Sequence, residues 1–244
     1  MAGQVGNISF DSLSVTAAAA TAVCAAQAVA GAGNLTINGT QASAGVASLT
    51  GAVTAGTTVG RRVVGVSANA GDTTQTLTVT GTDRNGNVIT DTIKLNGTTP
   101  VATSLDFLTV TKVAASAATA GNISVGTNNT ASTPWRTINT AIKPVQIGFF
   151  AHLVSGSATF SVELTMDDPN YQSGIGAGFG SSMEPDSYSP PIAIADQSSG
   201  GGPITGKSAD TVAILNFVAF AYRLTITAGQ GTVSLQAIQA GMHE

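Results

Sequence analysis

Short alternations of apolar and polar residues run along most of the chain and predict β-strands. From Leu35 onward, segments such as RRVVGVSA, TLTVTGT, NVITDTIKL, ATFSVEL and YRLTITA are separated by Gly, Asn and Asp. A period of two places the apolar side chains on one face of a strand, and the intervening residues are typical of tight turns. The pattern predicts an all-β protein built from two β-sandwich domains of the immunoglobulin-like kind.

A break in this pattern predicts the domain boundary. The segment from Asn128 to Pro144, NNTASTPWRTINTAIKP, carries the only tryptophan, Trp135, and two prolines. We therefore predict an arm at 1–33, a first sandwich at 34–131 and a second at 132–244. The second includes a loop at 169–210, and loops of that length are usually functional or ordered by a partner.

The first 33 residues have no strand–turn pattern and predict an extended, Ala-rich N-terminal arm. Its sizeable apolar anchors before residue 17 are Ile8, Phe10, Leu13 and Val15. The tract AAAATAVCAAQAVAGAG follows, and both a helix and an extended linker are compatible with it. An extended segment with an apolar strip is suited to adding a strand to a neighbouring subunit.

The clearest sequence evidence for a β-hairpin lies at Thr76 to Ile93, where two alternating runs flank DRNGN. Asn-Gly supplies the positive φ angles that a hairpin turn requires, so a hairpin is predicted here. Asp83, Asn85 and Asn87 also fit a calcium loop, but the glycine and glutamate of an EF-hand are not at the required spacing. A second hairpin is predicted around Ala228 to Gly231.

Composition adds that the surface is poor in charge. Lys and Arg total 9, Asp and Glu total 13, and charged residues are 9% of the chain, against about 25% in an average soluble domain. The net charge of −4, with no basic residue before Arg61, excludes a phosphate-binding stripe, so no nucleic-acid partner is expected. Ala17 to Ala30 is too polar to span a bilayer and no secretory signal is visible, so no membrane partner is expected either.

Candidate chemistry is sparse. Gly201 to Ser208 matches the P-loop pattern G-x-x-x-x-G-K-[ST], but it sits in a Gly/Ser/Pro-rich loop without the strand and helix that such a loop needs. Asp167 and Asp168 follow the strand ATFSVELTM and precede Pro169, where an aspartate commonly closes a turn. Because adjacent residues on a strand point to opposite faces, the pair is not expected to cooperate as an acid and a base. Cys24 and His152 have no companions of metal-ligand spacing. We expect no catalytic, metal or cofactor site.

The succession of RRVV, TLTVTGTDRNGN, DFLTVTKV, GNISVGT, ATFSVELTMDDP and YRLTITAGQGTVSLQAIQAG resembles accessory structural proteins encoded among the virion genes of tailed bacteriophages. The resemblance covers about three quarters of the chain and rests on the order and spacing of its segments. It implies a particle component with repeated β domains, such as a head decoration protein or a tail or collar component. It implies no catalytic residues.

The functional expectation is a non-enzymatic head decoration protein, assembled in the host cytoplasm and located in the virion. Its partners would be copies of itself, as a trimer or ring, and other virion proteins such as the major capsid protein. A tail or collar component that binds a host glycan or receptor through Ser173 to Ser208 is the alternative, and an NTPase is a third hypothesis. The residues expected to make assembly contacts are Ile8, Phe10, Leu13, Val15, Trp135, Phe179 and Tyr188.

Overall fold

A computed structural model describes residues 7–49, 59–84, 86–139, 142–165, 192–193, 195–196, 202–203, 206–215 and 219–243. Within these residues the chain is all-β, as the sequence predicts, and contains strands but no helix. The strands are β1 (Asn7–Val15), β2 (Ala19–Gln27), β3 (Gly33–Asn34), β4 (Ala42–Ser43), β5 (Val46–Ser48), β6 (Arg61–Ser67), β7 (Thr76–Thr82), β8 (Val88–Lys94), β9 (Val101–Phe107), β10 (Thr109–Ala115), β11 (Ile123–Ser132), β12 (Arg136–Thr137), β13 (Ile142–Gly156), β14 (Thr159–Thr165), β15 (Ile192–Ala193), β16 (Ala195–Asp196), β17 (Gly202–Pro203), β18 (Thr211–Leu215), β19 (Ala221–Ala228) and β20 (Gly231–His243).

The strands belong to two compact units. Unit 1 consists of Met1–Val15, Thr54–Thr57 and Ser132–Glu244, and unit 2 of Thr16–Val53 and Thr58–Ala131. The first unit therefore contains both β1 and β20, which are far apart in the sequence. The sequence placed residues 1–33 in a separate arm, whereas the structure assigns β1 to unit 1 and β2 to unit 2.

Unit 2 contains two antiparallel sheets that enclose one apolar core. One sheet has the order β4-β5-β10-β7-β8, with β3 on β10, and the other includes β11-β6-β9, with β2 on β11. Fully buried Leu77, Val79, Phe107, Ile123 and Val125 belong to the core cluster between them. Because β7 alternates buried and half-buried positions along its whole length, its four threonines lie on the outer face.

The predicted hairpin between β7 and β8 is present, with Thr82 paired to Val88. Gly86 has a φ of 84°, the left-handed conformation that favours glycine. The Asp83 carboxylate accepts a bond from the Asn87 amide at 2.8 Å and one from the Asn87 side chain at 3.0 Å. Both carboxylate oxygens thus close the turn, which is the role expected of a turn residue.

The Ala-rich tract forms β2, a strand antiparallel to β11. Ala22, Val23 and Cys24 are buried in its centre. Alanine favours helices in isolation, but propensity is weak beside the burial of an apolar segment against a sheet edge. Tertiary packing therefore decides between the two conformations that the sequence left open.

Unit 1 also contains two antiparallel sheets. One has the order β1-β20-β13-β18, and the other includes β15-β14-β19, with β12 on β19. The hairpin predicted at Ala228 to Gly231 is wrong, because β19 and β20 lie in different sheets. Gly229 and Gly231 have φ angles of 75° and 155°. The glycines that signalled a hairpin instead form a corner that takes the chain from one sheet to the other.

Candidate assembly surface

The sheet β1-β20-β13-β18 of unit 1 has one face inside the unit and one outside. On β13, Ile147, Phe149 and Ala151 are buried, whereas Phe150 is 41% exposed. The Phe149 ring meets the Tyr222 ring edge-on, with 5.0 Å between centroids, and burial raises the pKa of the Tyr222 hydroxyl. These inward contacts fix the strands and leave the alternate residues pointing outward.

Strand register aligns the outward residues into cross-strand rows. The first row is Ile8, Ile238, Gly148 and Ile214, because each is the partner of the next. The second row is Phe10, Gln236, Phe150 and Val212. We call these eight residues the apolar face. All eight are uncharged, and seven carry no polar side-chain group.

The large side chains of the apolar face are exposed to an unusual degree for their type. Their exposed fractions are 53% for Ile8, 70% for Phe10, 42% for Ile238, 41% for Phe150, 46% for Val212 and 40% for Ile214. Strand spacing of about 4.8 Å and a rise of about 3.3 Å per residue give these two rows over four strands a projected area of roughly 250 Å². The largest apolar patch on a typical soluble monomer is of this order and is often functional.

A hydrogen-bonded histidine–aspartate pair borders the apolar face in the next row. His152 Nδ1 lies 2.8 Å from the Asp210 carboxylate, and the Leu153 amide donates to the same carboxylate at 3.0 Å. The hydrogen bonds from His152 and the Leu153 amide lower the pKa of Asp210. The His152 ring also stacks on Phe150, with centroids 6.1 Å apart. This polar pair anchors the adjacent part of β13.

The assembly residues predicted from the first strand divide between its two faces. Ile8 and Phe10 lie on the apolar face, whereas Leu13 and Val15 are buried inside unit 1. Asp11, also inward, binds Arg136 at 2.7 Å. Residues 7–15 pair with β20 of the same chain, which corrects the expected free arm, because the inward side chains are part of the unit's own interior.

The other predicted contacts lie apart from this surface. Trp135 is half-buried, and the Arg223 guanidinium lies 4.6 Å from its ring centroid. Arg223 also pairs with Glu163 at 2.7 Å, so the tryptophan supports an internal ion pair. Phe179 and Tyr188 lie outside the described residues. Sequence reasoning missed Gly148, Phe150, Val212, Ile214 and Ile238, although GFFAHLV and TVAIL are apolar at consecutive positions, a signal for apolar residues on both faces.

Unit 2 presents an outer sheet face of different chemistry. Its β7 and β8 residues form cross-strand threonine pairs, Thr78 with Thr92 and Thr80 with Thr90. The paired hydroxyl oxygens are 3.1 and 3.2 Å apart. We call these four residues the threonine face. Hydroxyl groups that hydrogen-bond to each other and to water are typical of a sheet face that is exposed to solvent.

Two residues of the P-loop-like segment, Gly206 and Lys207, hydrogen-bond to β14 of unit 1. The Lys207 amide donates to the Phe160 carbonyl at 2.9 Å, and the Gly206 amide donates to Ser161 Oγ at 3.2 Å. The segment leads into strand β18, whereas a P-loop leads into a helix whose N-terminus faces the phosphates. These two amides therefore serve the fold and do not point at a phosphate.

Other reactive groups are equally enclosed. Burial raises the pKa of the Cys24 thiol to about 12, so it stays protonated and unreactive at neutral pH. Over the described ranges, no group of three or more His, Cys, Asp or Glu side chains is placed to hold a metal ion. The same part of the chain contains no helix long and apolar enough to cross a membrane.

Protein-family models, curated proteins and solved structures give no match to the chain.

Proposed function

We propose that the chain is a non-enzymatic structural subunit of a tailed-phage virion, and that it joins the particle through the apolar face. The main observation that supports this proposal is the pair of cross-strand rows whose large apolar side chains remain exposed: Ile8, Phe10, Ile238, Phe150, Val212 and Ile214. The phage assignment is supported by the resemblance of the ordered β segments to accessory virion proteins.

Solvation energetics support an assembly role for this surface. Each Å² of apolar surface removed from water contributes about 25 cal/mol. A face of about 250 Å² therefore contributes roughly 6 kcal/mol before the cost of association is subtracted. Covering the face in a particle would use this energy, and leaving it in water would favour nonspecific association.

The threonine face supplies an internal comparison. Unit 2 shows that this chain can present a strand surface of paired hydroxyls to water. The phenylalanines and isoleucines of the apolar face are therefore not a general consequence of building β-sheets from this composition. Their concentration on one sheet is the feature that a docking role explains.

A head decoration protein is the form of this function that we propose. Decoration uses many copies of a compact, weakly charged β protein, and charged residues are 9% of this chain. The partners proposed are further copies of the chain and the major capsid protein. Each unit, with its two antiparallel sheets, is proposed to be an immunoglobulin-like module.

Particle incorporation tests the proposal. Phe150→Asp places a charge in the apolar face, and Thr80→Asp places the same charge in the threonine face as a matched control. Mass spectrometry of purified particles of the encoding phage measures copies per major capsid subunit. We expect the parent and T80D to be incorporated at equal copy number, and F150D to fall at least tenfold while its circular dichroism stays that of the parent. Absence of the parent from the particles, or equal incorporation of F150D, would overturn the proposal.

A further inference from the structure

The apolar face contains a hollow as well as projecting rings. Gly148 points outward between Ile238 and Ile214 in the first row. The nearest atom to a Cβ placed on Gly148 would be the Ile238 carbonyl oxygen, at 4.0 Å. The next outward residue on β13 is Phe150, whose ring is 41% exposed. A depression and a knob thus stand side by side on one strand.

These two features are complementary to each other. Alternate residues on a strand are about 6.7 Å apart. A two-fold axis that lies midway between two facing sheets, perpendicular to β13 and over the midpoint of Gly148 and Phe150, therefore exchanges the positions of these two residues. When two such faces meet, each Phe150 ring lies over the Gly148 of the other copy. Reciprocal contact of this kind defines an isologous interface.

Charge also favours two identical faces meeting. The eight residues of the apolar face are uncharged, so two copies bring no like charges together within it. The bordering Asp210 carboxylate is already paired with His152 at 2.8 Å. A partner of strongly charged chemistry would find no counter-charge in these rows, whereas a second copy needs none.

The area fits a weakly associating two-fold pair. The projected area of roughly 250 Å² is well below the roughly 800 Å² per partner of a standard interface, so a pair joined through this face alone has a small interface and should dissociate measurably. Sheets packed face to face lie about 10 Å apart, with side chains of the two inner faces interdigitating. Phenylalanine knobs and a glycine hollow provide that interdigitation here.

We propose that the occupant of the apolar face is a second copy of this chain, packed sheet to sheet about a two-fold axis with Phe150 of each copy over Gly148 of the other. The inference rests on the proposed assembly role of this face and names its partner. It replaces the trimer or ring expected from the sequence with a pair, since one flat face that covers a copy of itself closes after two subunits.

Sedimentation equilibrium of the full-length protein tests this pair. The parent should show a monomer–dimer equilibrium. Gly148→Ile fills the hollow, where a Cβ meets no atom closer than the Ile238 carbonyl oxygen at 4.0 Å, and it should weaken association at least tenfold. Thr80→Ile adds the same side chain to the threonine face and should leave the dissociation constant within about twofold, which excludes a general effect of added apolar surface.

A compensating variant distinguishes the interlocking geometry from a folding defect. G148L should weaken association, and G148L combined with F150A should recover at least part of it, because the smaller side chain at 150 makes room for the larger one at 148. A parent that stays monomeric at 100-fold the concentration used for spectroscopy, or forms trimers or rings, would contradict the pair. Tighter association of Gly148→Ile than of the parent would do the same. Particle incorporation that still depends on Phe150 would then leave the proposed function standing.

Discussion

The two outer sheet faces of this chain differ although the same kind of strand builds both. On the threonine face, every second residue of β7 is a threonine whose neighbours Leu77 and Val79 are fully buried. On the apolar face, Phe150 is exposed while its neighbour Phe149 is buried. Alternation therefore identifies the inner face in both sheets. The residues of the opposite face distinguish a hydroxyl-bearing surface from an apolar one.

The difference concerns function more than stability. An exposed phenylalanine on a sheet adds little to the fold, because its ring keeps much of its contact with water, while it makes association with other apolar surfaces favourable. A threonine at the same kind of position satisfies the strand's preference for β-branched side chains and keeps its hydroxyl solvated. Exposure of the apolar face to water therefore has an unfavourable solvation free energy, which the proposed partner would remove.

Removing residues 2–16 should have the largest effect on the stability of unit 1. It deletes β1, which contributes Ile8 and Phe10 to the apolar face but also Leu13 and Val15 to the interior. Full burial of each aliphatic side chain is worth about 1.5–3 kcal/mol. We expect unit 1 to lose at least about 3–6 kcal/mol of stability, with β13 and β20 losing amide protection in hydrogen exchange while β7 and β8 keep theirs.

The matched control keeps β1 and changes its outer side only. Ile8→Thr with Phe10→Thr leaves Leu13, Val15 and the ion pair of Asp11 with Arg136 in place. Protection of β13 and β20 should then stay at the parent level. Parent-like protection in the deletion variant would show that β1 is a dispensable arm, as the sequence alone suggested.

The sequence predicts well which segments form strands, but it predicts poorly which strands pair with each other. The alternating runs from Arg61 to Thr127 match β6, β7, β8, β10 and part of β11 because their inner faces repeat with a period of two. The pairing of β1 with β20 joins residues at opposite ends of the chain, and local pattern contains no information on such a distance. The apolar face could not be predicted for the same reason, since its rows exist only once four distant strands are in register.

Two glycines, one in each unit, differ in backbone conformation and should respond differently to substitution. Gly86 has a φ of 84° with open space around it, so Gly86→Val should destabilise unit 2 by about 1–2 kcal/mol through conformation alone. Gly148 lies in an extended strand, and Gly148→Val should leave the stability of unit 1 unchanged or slightly higher. Urea unfolding followed by residue-level hydrogen exchange measures both. An unchanged unit 2 in G86V would mean that the turn does not need the left-handed conformation.

The smallest effect is expected on the threonine face. Replacing both Thr78 and Thr92 by valine keeps side-chain shape and removes one pair of hydroxyls 3.1 Å apart. Water competes for exposed hydroxyls, so the net loss should stay within about 0.5 kcal/mol. Thr103 is the control, because its buried hydroxyl accepts from the Val63 amide at 3.0 Å and donates to the Leu105 carbonyl at 2.8 Å; Thr103→Val should cost about 1–3 kcal/mol. A loss for the exposed pair as large as that for Thr103 would show that the hydroxyl pairs hold the sheet together, and the threonine face would no longer serve as the reference for a merely solvated surface.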